Sequence, residues 1–174
     1  CVYHQMEAPP IQIGRLQRFA TDEALDLNWK FFEAGPDTGK RVALVGGGPA
    51  GLACAHRLRR FGHAVTIFEK SQRLGGLNAS GVAPYKFRVV DADREVDWVM
   101  SIGGIEVQFG VDVPADMSWK QLETKFDAIF VGVGLGADSW LDIAGSKLGG
   151  IVGAVDFIAD LKLRAVSFEG VRNA

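Results

Sequence analysis

From residue 41 onward, short apolar runs alternate with segments of helical spacing. The runs Arg41 to Gly46 and Ala64 to Glu69 are almost continuously apolar, which is typical of strands buried on both faces of a parallel sheet. Between them, Pro49 to Phe61 has helical spacing, and Gly62 follows as a helix-ending glycine. A strand, a helix and a second strand in succession predict a parallel βαβ unit.

The same alternation continues toward the C-terminus. The pattern predicts a helix, a strand, a short helix, a strand and a helix, in that order, at residues 91–102, 105–109, 118–124, 127–131 and 155–164. Strands that alternate with helices pair in parallel and are covered on both faces. The predicted fold class is therefore α/β, a Rossmann-like dinucleotide-binding sheet.

The chain ahead of this alternation has a different character. Pro9 and Pro10 favour an extended connector, and residues 14–28 have the apolar spacing of a helix. Residues 33–40 contain Gly, Pro and charged side chains, a composition that is typical of a linker. We therefore expect a helical appendage at residues 1–35 and an α/β domain at residues 36–174.

Composition narrows the class of protein. The 174 residues are 48% hydrophobic and carry a net charge of −2, which gives no reason to expect binding to nucleic acid or to a membrane surface. Cys1 and Cys54 supply neither a disulfide framework nor a metal site, which favours a reducing, cytoplasmic compartment. The first residue is not methionine, so we expect a processed chain or a piece of a longer protein.

A glycine motif lies where the first strand becomes the first helix. Gly46, Gly48 and Gly51 have the G-x-G-x-x-G spacing, in the strand–helix–strand context that gives this motif its meaning. Gly46 permits the turn, Gly48 lets a diphosphate approach the backbone, and Gly51 lets the helix approach the strand. Pro49 and Ala50 open the helix, whose N-terminus favours phosphate groups. The motif predicts a site for an adenine dinucleotide.

Two further features bear on which dinucleotide binds. Glu69 ends the second strand about 20 residues after the motif, where a carboxylate accepts hydrogen bonds from ribose hydroxyls and repels a 2′-phosphate. Gly75, Gly76 and Leu77 form a second glycine turn, which can bring more backbone N–H groups to a longer cofactor. This turn favours FAD. A non-catalytic module that binds NAD is the alternative.

The glycine motif, Phe68–Lys70 and Gly75–Leu77 together resemble the FAD domain of the glutamate synthase small-chain and dihydropyrimidine dehydrogenase family. The resemblance covers nearly the whole chain, since it extends to residues 11–22, 93–98, 102–107 and 126–135. It implies the N-terminal part of an FAD domain, preceded by the tail of an iron–sulfur domain. It also implies further cofactor contacts from Lys70, Lys86, Val113, Gly132 and Gly134.

Two N-terminal residues match iron–sulfur positions of the family. Cys1 corresponds to the last cysteine ligand of a cluster, and Gln17 to a glutamine that completes it in dihydropyrimidine dehydrogenases. A [4Fe-4S] cluster needs about four ligands, mostly thiolates. This chain does not supply them, so we expect no cluster in it alone.

The resemblance implies an enzyme component in which NAD(P)H reduces FAD. Electrons would then pass through iron–sulfur clusters to a partner subunit or domain that reduces uracil or thymine. Residues 82–86 and 132–135 favour the dihydropyrimidine dehydrogenase branch, and the glutamate synthase small chain is the alternative. No residue is assigned as a catalytic acid or base. The chain alone is expected to be inactive and to bind FAD weakly at best, because the family's nicotinamide domain and the returning half of its FAD domain would lie outside it.

Overall fold

The computed structural model describes residue 6 and residues 9–136, 138–146 and 148–163. The chain divides into two compact units, Cys1–Phe31 and Phe32–Ala174. The first unit contains helix α1 (Ile13–Asp26), which agrees with the predicted helix within two residues. None of the side chains of α1 is buried.

The second unit is built on a four-stranded parallel sheet of order β3-β2-β1-β4. Its strands are β1 (Arg41–Val45), β2 (Ala64–Glu69), β3 (Ile105–Phe109) and β4 (Ala128–Val131). Its helices are α2 (Pro49–Arg60), α3 (Leu77–Ser80), α4 (Val89–Met100), α5 (Trp119–Lys125) and α6 (Ala154–Leu163). The predicted α/β class is confirmed, and among the elements of the described residues only the one-turn helix α3 was not predicted.

The two central strands are buried on both faces, as their apolar runs predicted. Val42 and Leu44 of β1 point to the face covered by α2 and α4. Ala43 and Val45 point to the opposite face, where Leu122 of α5 completes a second core. Because successive side chains of a strand alternate in direction, one apolar run fills two cores.

The segment predicted to be a linker is held against the second unit. The amide of Gly35 donates to the carbonyl of Arg59 at 2.9 Å, and the amide of Thr38 donates to the carbonyl of Gly62 at 3.1 Å. A Cβ at Gly62 would overlap the carbonyl oxygen of Pro36. This segment therefore packs on the turn between α2 and β2. None of the helices in the described part of the chain has the length and apolarity needed to cross a bilayer.

Candidate dinucleotide-binding site

The sequence-predicted glycines and acid meet at one end of the sheet. Gly46, Glu69 and Gly132 stand at or just beyond the carboxyl ends of β1, β2 and β4. The connection from β1 leads to β2 on one side, and the chain later returns to place β4 on the other side of β1. A reversal of strand order of this kind opens a crevice in which α/β proteins bind nucleotides.

The first glycine turn joins β1 to α2. Gly46 has a φ of +101°, which a residue with a side chain rarely adopts. A Cβ at Gly51 would overlap the carbonyl oxygen of Gly46, so only glycine lets α2 start this close to β1. Pro49 occupies the first turn of α2, where its missing N–H leaves no hydrogen bond unmade.

Backbone amides at the start of α2, beside the crevice, have no hydrogen-bond partner among the described residues. Within the described residues, the amides of Gly48, Ala50 and Gly51 donate to no acceptor. The first amides of any helix lack an intrahelical acceptor, and the helix dipole adds positive potential there. Phosphate groups and other anions satisfy such amides.

The carboxylate of Glu69 lies beside these amides. Its Oε2 accepts a hydrogen bond from the amide of Gly47 at 2.7 Å, and its Oε1 accepts one from the amide of Ser71 at 2.8 Å. The residue is only 8% exposed. Each carboxylate oxygen can accept a second hydrogen bond, so both keep capacity for ribose hydroxyls.

The second glycine turn packs directly on the first. The amide of Gly75 donates to the carbonyl of Gly47 at 2.9 Å. Gly75 and Gly76 have φ of +103° and +52°, and a Cβ at Gly76 would come within 2.9 Å of Cα of Gly48. The two turns therefore form one continuous backbone surface, as the sequence predicted for a second turn beside the first.

Sequence reasoning missed the two residues that link these features. Gly47 occupies the variable position of the motif. Its amide nevertheless donates to the carboxylate of Glu69, and its carbonyl accepts from the amide of Gly75. Its lack of a side chain also makes room for Leu74, which a Cβ at Gly47 would overlap. A glycine at a position where the motif requires none was the available signal. Ser71 offered no signal, because only its backbone amide reaches the carboxylate.

A third glycine turn borders the same crevice. The amide of Gly132 donates to the carbonyl of Val45 at 2.8 Å, which extends the pairing of β4 with β1. A Cβ at Gly46 would lie 2.5 Å from the carbonyl oxygen of Gly132. Gly134 has a φ of +71° and open space around it. Binding by either glycine stays a prediction.

The remaining predicted contacts are more scattered. Lys70 and Lys86 are exposed, as is half of the Leu77 side chain. Val113 is half-buried and packs on the core beneath β1 and β2. In the described residues, no hydrogen bond or ion pair joins Lys70, Lys86 or Val113 to the glycine turns. Their roles rest on the resemblance.

The predicted iron–sulfur positions give no further information on the site. Gln17 is exposed on α1, where its carbonyl accepts a hydrogen bond from the hydroxyl of Thr21 at 2.9 Å. Cys1 lies outside the described residues. Among the residues that are described, no group of three or more His, Cys, Asp or Glu side chains could hold a metal ion.

Comparison with known proteins shows which proteins this chain is similar to. Residues 44–103 match the NAD(P)-binding Rossmann-like domain family. The glutamate synthase [NADPH] small chain of Mycobacterium tuberculosis is 38% identical over 152 residues, which cover 86% of this chain and 30% of that protein. The chain is related to glutamate synthase small chains over most of its length.

The second branch of the resemblance is also confirmed. The homolog of NAD-dependent dihydropyrimidine dehydrogenase subunit PreT from Salmonella typhi is 32% identical over 149 residues, covering 86% of this chain and 36% of that protein. FprA of Mycobacterium tuberculosis, solved with NADPH, has a TM-score of 0.63 and 26% identity over 72% of this chain and 29% of that chain. This chain thus spans only about a third of the length of these relatives.

Proposed function

We propose that this chain forms the first part of an FAD-binding domain in an NAD(P)H-dependent oxidoreductase. The observation that carries the proposal is the joining of two glycine turns through Gly47 and Gly75, with the Glu69 carboxylate held beside them. The site combines unpartnered amides for a diphosphate with acceptor capacity for a ribose.

The residues present fit the adenosine diphosphate half of FAD. Gly48, Ala50 and Gly51 would donate to the diphosphate, and Glu69 would accept from the ribose hydroxyls. The second turn, at Gly76, lies against Gly48 and would add backbone around the diphosphate. A site with the first glycine turn alone would lack this backbone. When bound, FAD supplies hydride acceptance and one-electron release, while the protein supplies position and electrostatics.

We further propose that the whole protein passes these electrons through iron–sulfur clusters to a partner that reduces uracil or thymine. The resemblance of residues 82–86 and 132–135 to the dihydropyrimidine dehydrogenase branch supports this acceptor. Cys1 and Gln17 would belong to one of the clusters. The nicotinamide cofactor would bind outside this chain.

A glutamate synthase small chain is the second candidate. In this candidate FAD also takes electrons from NAD(P)H, and only the electron acceptor differs. The M. tuberculosis glutamate synthase [NADPH] small chain is 38% identical to this chain, against 32% for the PreT homolog. Assays of the native gene product together with its partner subunit separate the two. NAD(P)H oxidation that depends on uracil or thymine supports the pyrimidine acceptor, whereas oxidation that depends on glutamine and 2-oxoglutarate overturns it.

Titration of the purified chain tests the cofactor. FAD, NAD⁺ and NADP⁺ are added separately, and binding is followed by calorimetry and by quenching of flavin fluorescence. We expect FAD to bind more tightly than NAD⁺, and NADP⁺ to bind least, because a 2′-phosphate would meet the carboxylate of Glu69. Tighter binding of NAD⁺ than of FAD would instead favour the non-catalytic module, for which the NAD(P)-binding family match is the supporting observation.

The same sample tests the expected inactivity. With FAD and NADH or NADPH added, we expect no sustained oxidation of the nicotinamide, because the family's nicotinamide domain would, by the resemblance, lie outside this chain. Steady turnover by the 174-residue chain would contradict this expectation.

A further inference from the structure

The segment between β2 and α3 carries the second glycine turn and is fastened at several points. At its start, the hydroxyl of Ser71 donates to the carbonyl of Arg73 at 2.6 Å and accepts from the amide of Arg73 at 3.3 Å. Leu74 is 7% exposed and belongs to the core beneath α2. Gly75 then pairs with Gly47. These contacts attach the segment to β2 and to the first turn.

The two glycines themselves provide little rigidity. Gly75 and Gly76 both have positive φ, and glycine loses more conformational freedom on ordering than any other residue. The position of this turn must therefore be held by contacts outside it. Its distance from Gly48 sets the width of the backbone surface offered to a diphosphate.

One such contact reaches a different element. The Nη1 atom of Arg73 lies 2.8 Å from Oδ1 and 2.7 Å from Oδ2 of Asp93, on the first turns of α4. Helix α4 is itself fixed, because Val96, Val99 and Met100 pack against the core shared with α2. The ion pair therefore connects the second glycine turn to α4, whereas the first glycine turn leads into α2.

We propose that Arg73 and Asp93 are positioning residues that hold the second glycine turn at its working distance from the first. The proposal rests on the proposed dinucleotide site. Neither residue need touch the cofactor, since the pair acts through Leu74 and Gly75, which follow Arg73 directly. Both side chains are about two-fifths exposed, so the expected effect is modest.

The test uses the purified chain and a matched control. Arg73→Gln and Asp93→Asn each remove one charge of the pair, and a third variant carries both changes. Arg73→Lys retains the charge. The control is Lys40→Gln, which breaks the exposed pair of Lys40 with Asp127 (2.8 Å) beside the amide of Arg41, at the opposite end of β1.

Three measurements are made on each variant. They are the Kd for FAD, the hydrogen-exchange rate of the Gly75 amide, and the midpoint of thermal unfolding. Arg73→Gln and Asp93→Asn should each raise the Kd and the exchange rate by roughly two- to fivefold, with little change in the midpoint. The double variant should equal either single variant, because the two residues act as one pair. Arg73→Lys should restore most of both values.

Two results overturn the positioning role. One is an unchanged exchange rate and Kd in Arg73→Gln. The other is an equal change in Lys40→Gln, which would show a general loss of stability. Failure of the unaltered chain to bind FAD, NAD⁺ or NADP⁺ would refute the proposed function separately, while exchange at Gly75 would still decide whether the ion pair holds the turn.

Discussion

The carboxylate of Glu69 accepts a hydrogen bond from the amide of Gly47 at 2.7 Å, across 22 residues of sequence. This bond connects the carboxylate that would accept hydrogen bonds from the ribose with the loop that would bind the diphosphate. The same Gly47 accepts a bond from Gly75 through its carbonyl. One residue without a side chain therefore sets the geometry of three recognition elements.

Glu69→Gln tests the carboxylate. The amide side chain has one acceptor oxygen in place of two and carries no charge, so bonds to Gly47, to Ser71 and to a ribose cannot all be kept. Loss of a hydrogen bond to a charged group predicts a Kd for FAD raised roughly ten- to hundredfold. Discrimination against NADP⁺ should fall as well, because the repulsion of a 2′-phosphate is removed.

The matched control for that variant is Glu106→Gln on the neighbouring strand β3. Glu106 is exposed, and within the described part of the chain its carboxylate accepts only a long bond from the hydroxyl of Thr66 at 3.4 Å. The Glu106→Gln variant should bind FAD as tightly as the unaltered chain does. Equal weakening in both variants would show that net charge, and not the position of Glu69, governs binding.

Gly51→Ala tests the close approach of α2 to β1. A methyl group there meets the carbonyl of Gly46, which is backbone and cannot move aside as a flexible side chain could. Overpacking predicts a loss of about 1–3 kcal/mol in the free energy of unfolding. Gly14→Ala is the comparison, since it lies in α1 with nothing within 4 Å of the added carbon. Urea unfolding that shows no loss in Gly51→Ala would contradict the described packing.

Gly62→Ala tests the docking of the segment that precedes β1. Gly62 has a φ of +84°, and an added Cβ would meet the carbonyl of Pro36. Gly103→Ala imposes similar strain, at a φ of +77°, with no neighbour within 4 Å. We expect the Gly62 variant to lose about 1–3 kcal/mol more than the Gly103 variant in urea unfolding. Equal losses would mean that the segment does not pack there.

His56 predicts a dependence of stability on pH. Its ring stacks on Trp98, and partial burial, followed by the charge of Arg60, lowers its pKa below the ordinary value of 6.5. The unfolded chain then takes up a proton before the folded chain does. Stability should therefore be fully present above about pH 6.5 and should fall as the pH drops through the lowered pKa.

The measurement is thermal unfolding between pH 7 and pH 5 for the unaltered chain and for His56→Gln. The other two histidines are present in both proteins, so their contributions cancel. The unaltered chain should lose more stability over this range than the variant. Parallel pH curves for the two proteins would rule out a role for His56.

Several features of the site depended on contacts that no local pattern encodes. Lys70, Lys86 and Val113 were assigned by resemblance; the structure exposes the two lysines and packs Val113 on the core. Helix α3 was not predicted, because its four residues are too few to show a helical period. The packing of residues 33–40 on Gly62 was also missed, since glycine and proline mark turns whether or not these are docked.

The sequence by itself determined the alternation of strands and helices, the parallel α/β class and the first glycine motif with its acid. These follow from patterns within about 30 residues, where apolar period and glycine spacing act locally. Only the tertiary structure decided that Gly47 joins Glu69 to Gly75, and that Arg73 reaches Asp93. Such contacts join residues distant in the chain, so they exist only once the strands have paired and the helices have packed.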